Sequence, residues 1–288
     1  MPDASDRPGR ADVAPDDQVL GPTRLLAAVI IPFLLVAFVL LHLFPGDTDD
    51  HFAWTIEPTM TAMVLGAVYL GGAWFFVSVL RARAWHTVRA GFPAVAVFAS
   101  LLGVATIIHW DRFHSGHISF VTWATLYFTT PFLVVAAFVW NDRRRSRDGA
   151  ADRLPAATAG AIAAVGAVLA VTGVVMFLFP DQAIDVWPWT LTPLTARVMG
   201  ACFTLGLAGV LLGADARLDA VRLTLEVAAI MFVLIAVAGV RAGDEIDTGE
   251  ALAWVLGIAM VVVLAGGAAV WVRYLRPREP PRNEQRRF

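Results

Sequence analysis

Two groups of residues in this sequence have types and spacings that could carry chemistry. The first is a set of histidines. His109, His114 and His117 follow one another as H-x4-H-x2-H with Asp111 between them, and His42 and His51 end or follow an earlier apolar run. Imidazoles so placed could ligate zinc or copper, although the spacing matches no strong metal signature. A haem needs paired axial histidines on facing helices, and only His42 and His109 fall at helix ends of similar depth. No second pair exists towards the opposite side, so a single haem would lack a relay across the chain. The plainer reading is that these are polar residues at a wet helix end.

The second group is a motif that occurs twice. Residues 44–45 read FP, 52–58 read FAWTIEP and 61–69 read TAMVLGAVY; residues 179–180 read FP, 187–193 read WPWTLTP and 195–203 read TARVMGACF. Further on, Val88-Arg89 aligns with Val221-Arg222, and Trp123 with Trp254. Pro58 and Pro193 suit a first helical turn, Thr192 a helix cap, and Glu57 the positive end of a helix. Ala62-x3-Gly66 and Ala196-x3-Gly200 put small residues one turn apart, where a neighbouring helix can approach closely. The chemical reading is that Trp54, Thr61, Trp189, Thr195 and Arg197 line one shared cavity. Arg197 stands where the first copy has Met63, and could bind an anionic head group or substrate; the plainer reading is that it snorkels outward or pairs with Asp181 or Asp185. Glu226 could serve a proton-coupled carrier, or form an i, i+4 ion pair with Arg222. No catalytic residue stands out: the sequence has no phosphate-binding loop, no nucleophile elbow, no HExxH, and one cysteine, Cys202, in an apolar run.

The elements that must position these residues follow from composition. Apolar residues make up 58% of the chain and charged residues 16%, with mean hydropathy +0.67; a soluble domain carries about a quarter of its residues charged. Eight runs approach the roughly 20 apolar residues that span a bilayer: 25–44, 59–80, 90–108, 118–140, 156–179, 195–213, 223–240 and 251–272. Hydrocarbon cannot satisfy free backbone polar groups, so each run is expected to be a helix. The fold class is therefore all-α: a polytopic membrane protein of eight transmembrane helices, in two tandem four-helix repeats. Four crossings per copy is an even number, so the repeats would be parallel, related by an axis along the membrane normal.

Arginine, the only basic residue type apart from histidine, is concentrated in alternate segments: Arg7–Arg24, Arg81–Arg89, Arg143–Arg153, Arg217–Arg222 and Arg273 onward. The other loops hold only Arg112, Arg197 and Arg241 and are rich in Asp and Glu. The positive-inside rule then predicts both termini in the cytoplasm, in a bacterial inner or plasma membrane. Trp54, Trp110, Trp187 and Trp189 are expected at the outer interface, and Trp85, Trp140 and Trp271 at the inner one. The expected organisation is a disordered tail over 1–23, repeats over 24–145 and 154–275, and a basic tail over 276–288. The partners expected are the lipid bilayer, anionic head groups at the arginine clusters, and a membrane protein or a second copy, but no nucleic acid. Three function classes follow: a non-enzymatic carrier or binder of a small molecule or lipid between the repeats, a redox or metal-handling protein using the histidines, and an assembly subunit.

Overall fold

The computed structural model describes residues 17–144 and 152–276. The polar tail up to residue 16, the arginines from Arg145 to Arg147 and the basic tail from residue 277 lie outside the described residues. Among the described residues eight helices are long and apolar enough to cross a membrane: α1 (Gly21–Leu43), α2 (Thr59–Arg81), α3 (Gly91–Ile108), α4 (Ile118–Asp142), α5 (Ala156–Leu178), α6 (Pro193–Ala214), α7 (Leu218–Arg241) and α8 (Ala251–Leu275). Among the described residues the only extended pairing is two single-residue bridges, Gln18 with Ala84 and Arg153 with Arg217. Pro32 and Pro131 sit inside α1 and α4 without ending them; neighbouring groups in a membrane helix can absorb the lost hydrogen bond.

The halves interlock instead of lying side by side as two self-contained bundles. α1 packs on α2, α3 on α4, and α5 on α6, but α2 also packs along α7 and α3 along α6. These two seams join the halves. α2 is buried along most of its length, because small residues such as Ala62, Gly66 and Ala67 admit neighbours on several sides. A Cβ on Gly66 would stand 2.8 Å from His42 Cβ, and one on Gly173 only 2.4 Å from the Gly200 carbonyl oxygen, so these helix pairs meet nearly backbone to backbone. α8 is the opposite case: no residue of Ala251–Val270 is buried.

One face of the molecule gathers the arginines as caps as well as surface charge. Arg24 donates to the carbonyls of Leu80 (2.6 Å) and Ala82 (2.7 Å) at the end of α2, and Arg89 pairs with Asp142 at 2.5 Å. Cations at helix C-termini satisfy free carbonyls and complement the helix dipole. Structure also begins before residue 24, within the stretch expected to be a disordered tail. Leu20 N–H donates to Asn141 Oδ1 at 3.0 Å, Gln18 pairs with Ala84 and Asp17 reaches His86, so residues 17–20 form a strap across this face. Polar composition hid it, since each of its partners lies far along the chain.

Candidate functional site

The loops that carry the twice-occurring sequence motif fold inward. Trp54 is buried against Phe52, Phe113 and Trp123, with ring centroids 5.1, 5.1 and 4.7 Å away. Trp187 and Trp189 are buried edge to face at 5.1 Å. Trp85 is buried as well, whereas Trp110 and Trp140 are exposed. The expected tryptophan belt is thus corrected in part: four of the seven indoles are core residues, because the loops carrying them fold back onto the helix ends.

Of the five residues expected to line a cavity, two are hydrogen-bonded to each other. Trp189 Nε1 donates to Thr61 Oγ1 at 2.9 Å, joining the second half's loop to α2. Thr195 is spent on its own helix start: its N–H donates to Thr192 Oγ1 at 3.2 Å, while Thr192 N–H donates back to Thr195 Oγ1 at 2.8 Å. This reciprocal cap is the motif anticipated at Thr192. The start of α2 is capped otherwise. Pro58 lies one residue before the helix, and the acidic group there is Glu245 from the other half, in place of Glu57. Its carboxylate accepts from Thr59 N–H (3.1 Å), Thr59 Oγ1 (2.6 Å) and Met60 N–H (2.7 Å).

Arg197 is the member of the set with chemistry to spare. Its side chain is half-buried at the start of α6, and Nη1 donates to His109 Nε2 at 2.8 Å and to Pro193 O at 3.3 Å. Neither Asp181 nor Asp185 pairs with it; they sit one loop away, and Arg197 turns instead to the end of α3. Donation to His109 Nε2 requires that nitrogen to present its lone pair. Burial first, and the Arg197 guanidinium second, hold the His109 pKa below the usual histidine value, which keeps the ring neutral and accepting. A guanidinium carries five N–H donors. Here both acceptors sit on one nitrogen and neither is charged, so the remaining edge is suited to a planar or tetrahedral oxyanion.

The other histidines disperse. His114 contacts Phe52 O (3.3 Å) and Thr55 Oγ1 (3.3 Å), and His117 contacts Ser119 Oγ at 2.9 Å. Among the described residues no three of His, Cys, Asp and Glu converge as a metal site. His42 is buried, its Nδ1 donating to Met63 O at 2.9 Å. Its ring serves the α1–α2 contact, while that of His109 serves the α3–α6 seam. Arg222 and Glu226 also diverge: Arg222 Nη2 donates to Leu275 O at 2.8 Å, and Glu226 accepts from Trp74 Nε1 at 3.0 Å.

Sequence reasoning passed over three polar constructions. One is Glu245, with its caps. Another is Tyr69 and Tyr127, whose buried hydroxyls meet at 2.8 Å. The third is His86, whose Nδ1 faces Asp17 and whose Nε2 lies 2.7 Å from Asp219 Oδ2. The Asp219 carboxylate, seconded by Asp17, holds the His86 pKa above its usual value. Only the polar residue types could have signalled these pairs; their partners lie 58 to 186 residues away. Compared with known proteins, the chain matches no protein-family model, no curated protein and no solved structure.

Proposed function

We propose that this multi-pass membrane protein is a non-enzymatic binder or carrier that takes a small molecule or lipid through an anionic group, with Arg197 as the recognising residue. The observation that carries this reading is a half-buried guanidinium at a helix end whose described partners are both neutral. A cation in that setting gains most from an anionic ligand, because partial desolvation strengthens the pairing. The site lies on the α3–α6 seam between the halves.

We read the halves as parallel repeats. In support, Phe44 and Phe179, each before a proline, share an unusual conformation (φ −123, ψ 56 and φ −124, ψ 64). His109 and Ala242 likewise match (φ −116, ψ 33 and φ −119, ψ 33). A repeat axis that exchanges α2 with α6 and α3 with α7 would also exchange the two seams. The arginine-rich face is assigned to the cytoplasm, with anionic lipid at its rim.

The test is thermal unfolding of the detergent-purified protein with dodecyl phosphate and with dodecanol. The phosphate should stabilise the protein, by about 2.7 kcal/mol at a hundredfold excess over Kd; the alcohol should not, and Arg197→Met should lose the difference. An equal response in Arg197→Met would overturn the assignment. A second reading, an assembly subunit, is favoured by α8, which has no buried residue over Ala251–Val270. Light scattering that finds only monomers, with no copurifying membrane protein, would remove it.

A further inference from the structure

The groove between α2, α7 and α8 contains a carboxylate that no cation among the described residues pairs with. Glu226 lies two turns into α7, about 12 Å from its start at 1.5 Å per residue. Its one described hydrogen bond comes from a neutral donor, Trp74 Nε1, at 3.0 Å. The groove around it is lined by Trp74, Leu225, Ala229, Ile230 and Trp271, so every wall is apolar or indole. Two arginines contact the indole rings of this groove, and neither forms an ion pair with Glu226. Arg222, one turn back, donates to Leu275 O and places its guanidinium 5.1 Å from the Trp271 ring. Arg81 lies 5.9 Å from the Trp74 ring. Both sit towards the arginine-rich face, so access from the bilayer runs past Ala229, which is exposed.

We propose that this groove is a binding site for a membrane-dissolved organic cation, its charge held by Glu226 and its apolar body by Trp74, Trp271 and Ile230. A carboxylate facing hydrocarbon is stabilised by an opposite charge far more than by one neutral hydrogen bond. Indole rings are the side chains that attract cations best, and the arginines stacked on these two rings use that property already. A ligand with one diffuse positive charge and a large apolar surface fits both features. A strongly hydrated inorganic ion, or an anion, fits neither. The site is independent of Arg197, which lies at the opposite face.

The probe is tetraphenylphosphonium, measured by equilibrium binding to the full-length protein in nanodiscs of zwitterionic lipid. Saturable binding near one per chain is expected. Glu226→Gln keeps the size and the acceptor for Trp74 and should weaken binding at least tenfold, and Trp74→Phe should weaken it severalfold. Arg197→Met should bind as the parent does, which separates this site from the anion site. Dicyclohexylcarbodiimide labelling of the unmutated chain gives a second readout: Glu226 should be modified, and tetraphenylphosphonium should slow the modification. Equal binding by the parent and Glu226→Gln, or labelling of Glu226 indifferent to the cation, would overturn the proposal. So would a tightly copurified aminophospholipid in the groove that the cation does not displace.

Discussion

The two seams that join the halves of this molecule use opposite chemistry at corresponding places. At the end of the α2–α7 seam, Met63 and Ala242 belong to one apolar cluster, and Glu245 reaches across to cap α2 with three hydrogen bonds. At the end of the α3–α6 seam the matching positions are Arg197 and His109, bonded at 2.8 Å, while α6 is capped by its own Thr192 and Thr195. Arg112, which the sequence alignment sets against Glu245, is exposed and, among the described residues, pairs with neighbouring Asp111 at 3.5 Å. The α2–α7 seam is therefore closed from the partner half. The α3–α6 seam is self-capped, and its guanidinium rests on two neutral acceptors. One seam is thus capped across the halves, and the other from within its own helix.

The largest expected effect breaks the closed joint. Glu245→Ala leaves two backbone N–H groups and a hydroxyl at the start of α2 without their acceptor, a loss of about 2–3 kcal/mol. Arg112→Ala, at the corresponding position, should change stability by less than about 0.5 kcal/mol, as an exposed pair contributes little. Chemical denaturation of both variants checks the contrast, and equal losses would mean the two seams are not built differently. A smaller effect follows from Trp189→Phe, which removes the donor to Thr61 but keeps the ring packing. It should cost about 1 kcal/mol, while leaving the response to dodecyl phosphate in place.

The smallest effects are in pH, and they run in opposite directions on the two faces. His109 has a lowered pKa, so its contribution is present above the unfolded value of about 6.5 and is lost as pH falls through the folded value. Protonated His109 would face Arg197 as a like charge, with Asp111 and Arg112 beside it. His86 has a raised pKa. Its contribution is present below about 6.5 and fades as pH rises through the folded value, loosening its hold on Asp17 and Asp219. Hydrogen exchange across pH should show the end of α3 opening in acid and the strap at residues 17–20 opening in base. His86→Gln should remove only the second response.

Much of the fold was legible because its signal is local. Each apolar run matched a helix to within a few residues, from 59–80 against Thr59–Arg81 to 118–140 against Ile118–Asp142. The Thr192 cap was legible too, because donor and acceptor lie three residues apart. The candidate site was legible only as residue types. Arg197 stood out as a charge in an apolar run, but its partner His109 lies 88 residues away, and the nearer Asp181 and Asp185 were the natural guess. Glu226 likewise had Arg222 at the right spacing for a pair, yet Trp74, 152 residues away, holds its carboxylate.

The sequence alone determined that this chain is all-helical, with eight helices long and apolar enough to span a membrane and its arginines sorted into alternate segments. Those properties sum over contiguous residues, and the free energy of placing a run in hydrocarbon depends little on what it will later touch. Only the tertiary structure decided that α2 pairs with α7 and α3 with α6, that the loop tryptophans turn inward, and that Glu245 caps a helix in the other half. Such choices rest on close packing and on hydrogen bonds between distant segments, where differences of an ångström select one partner over another.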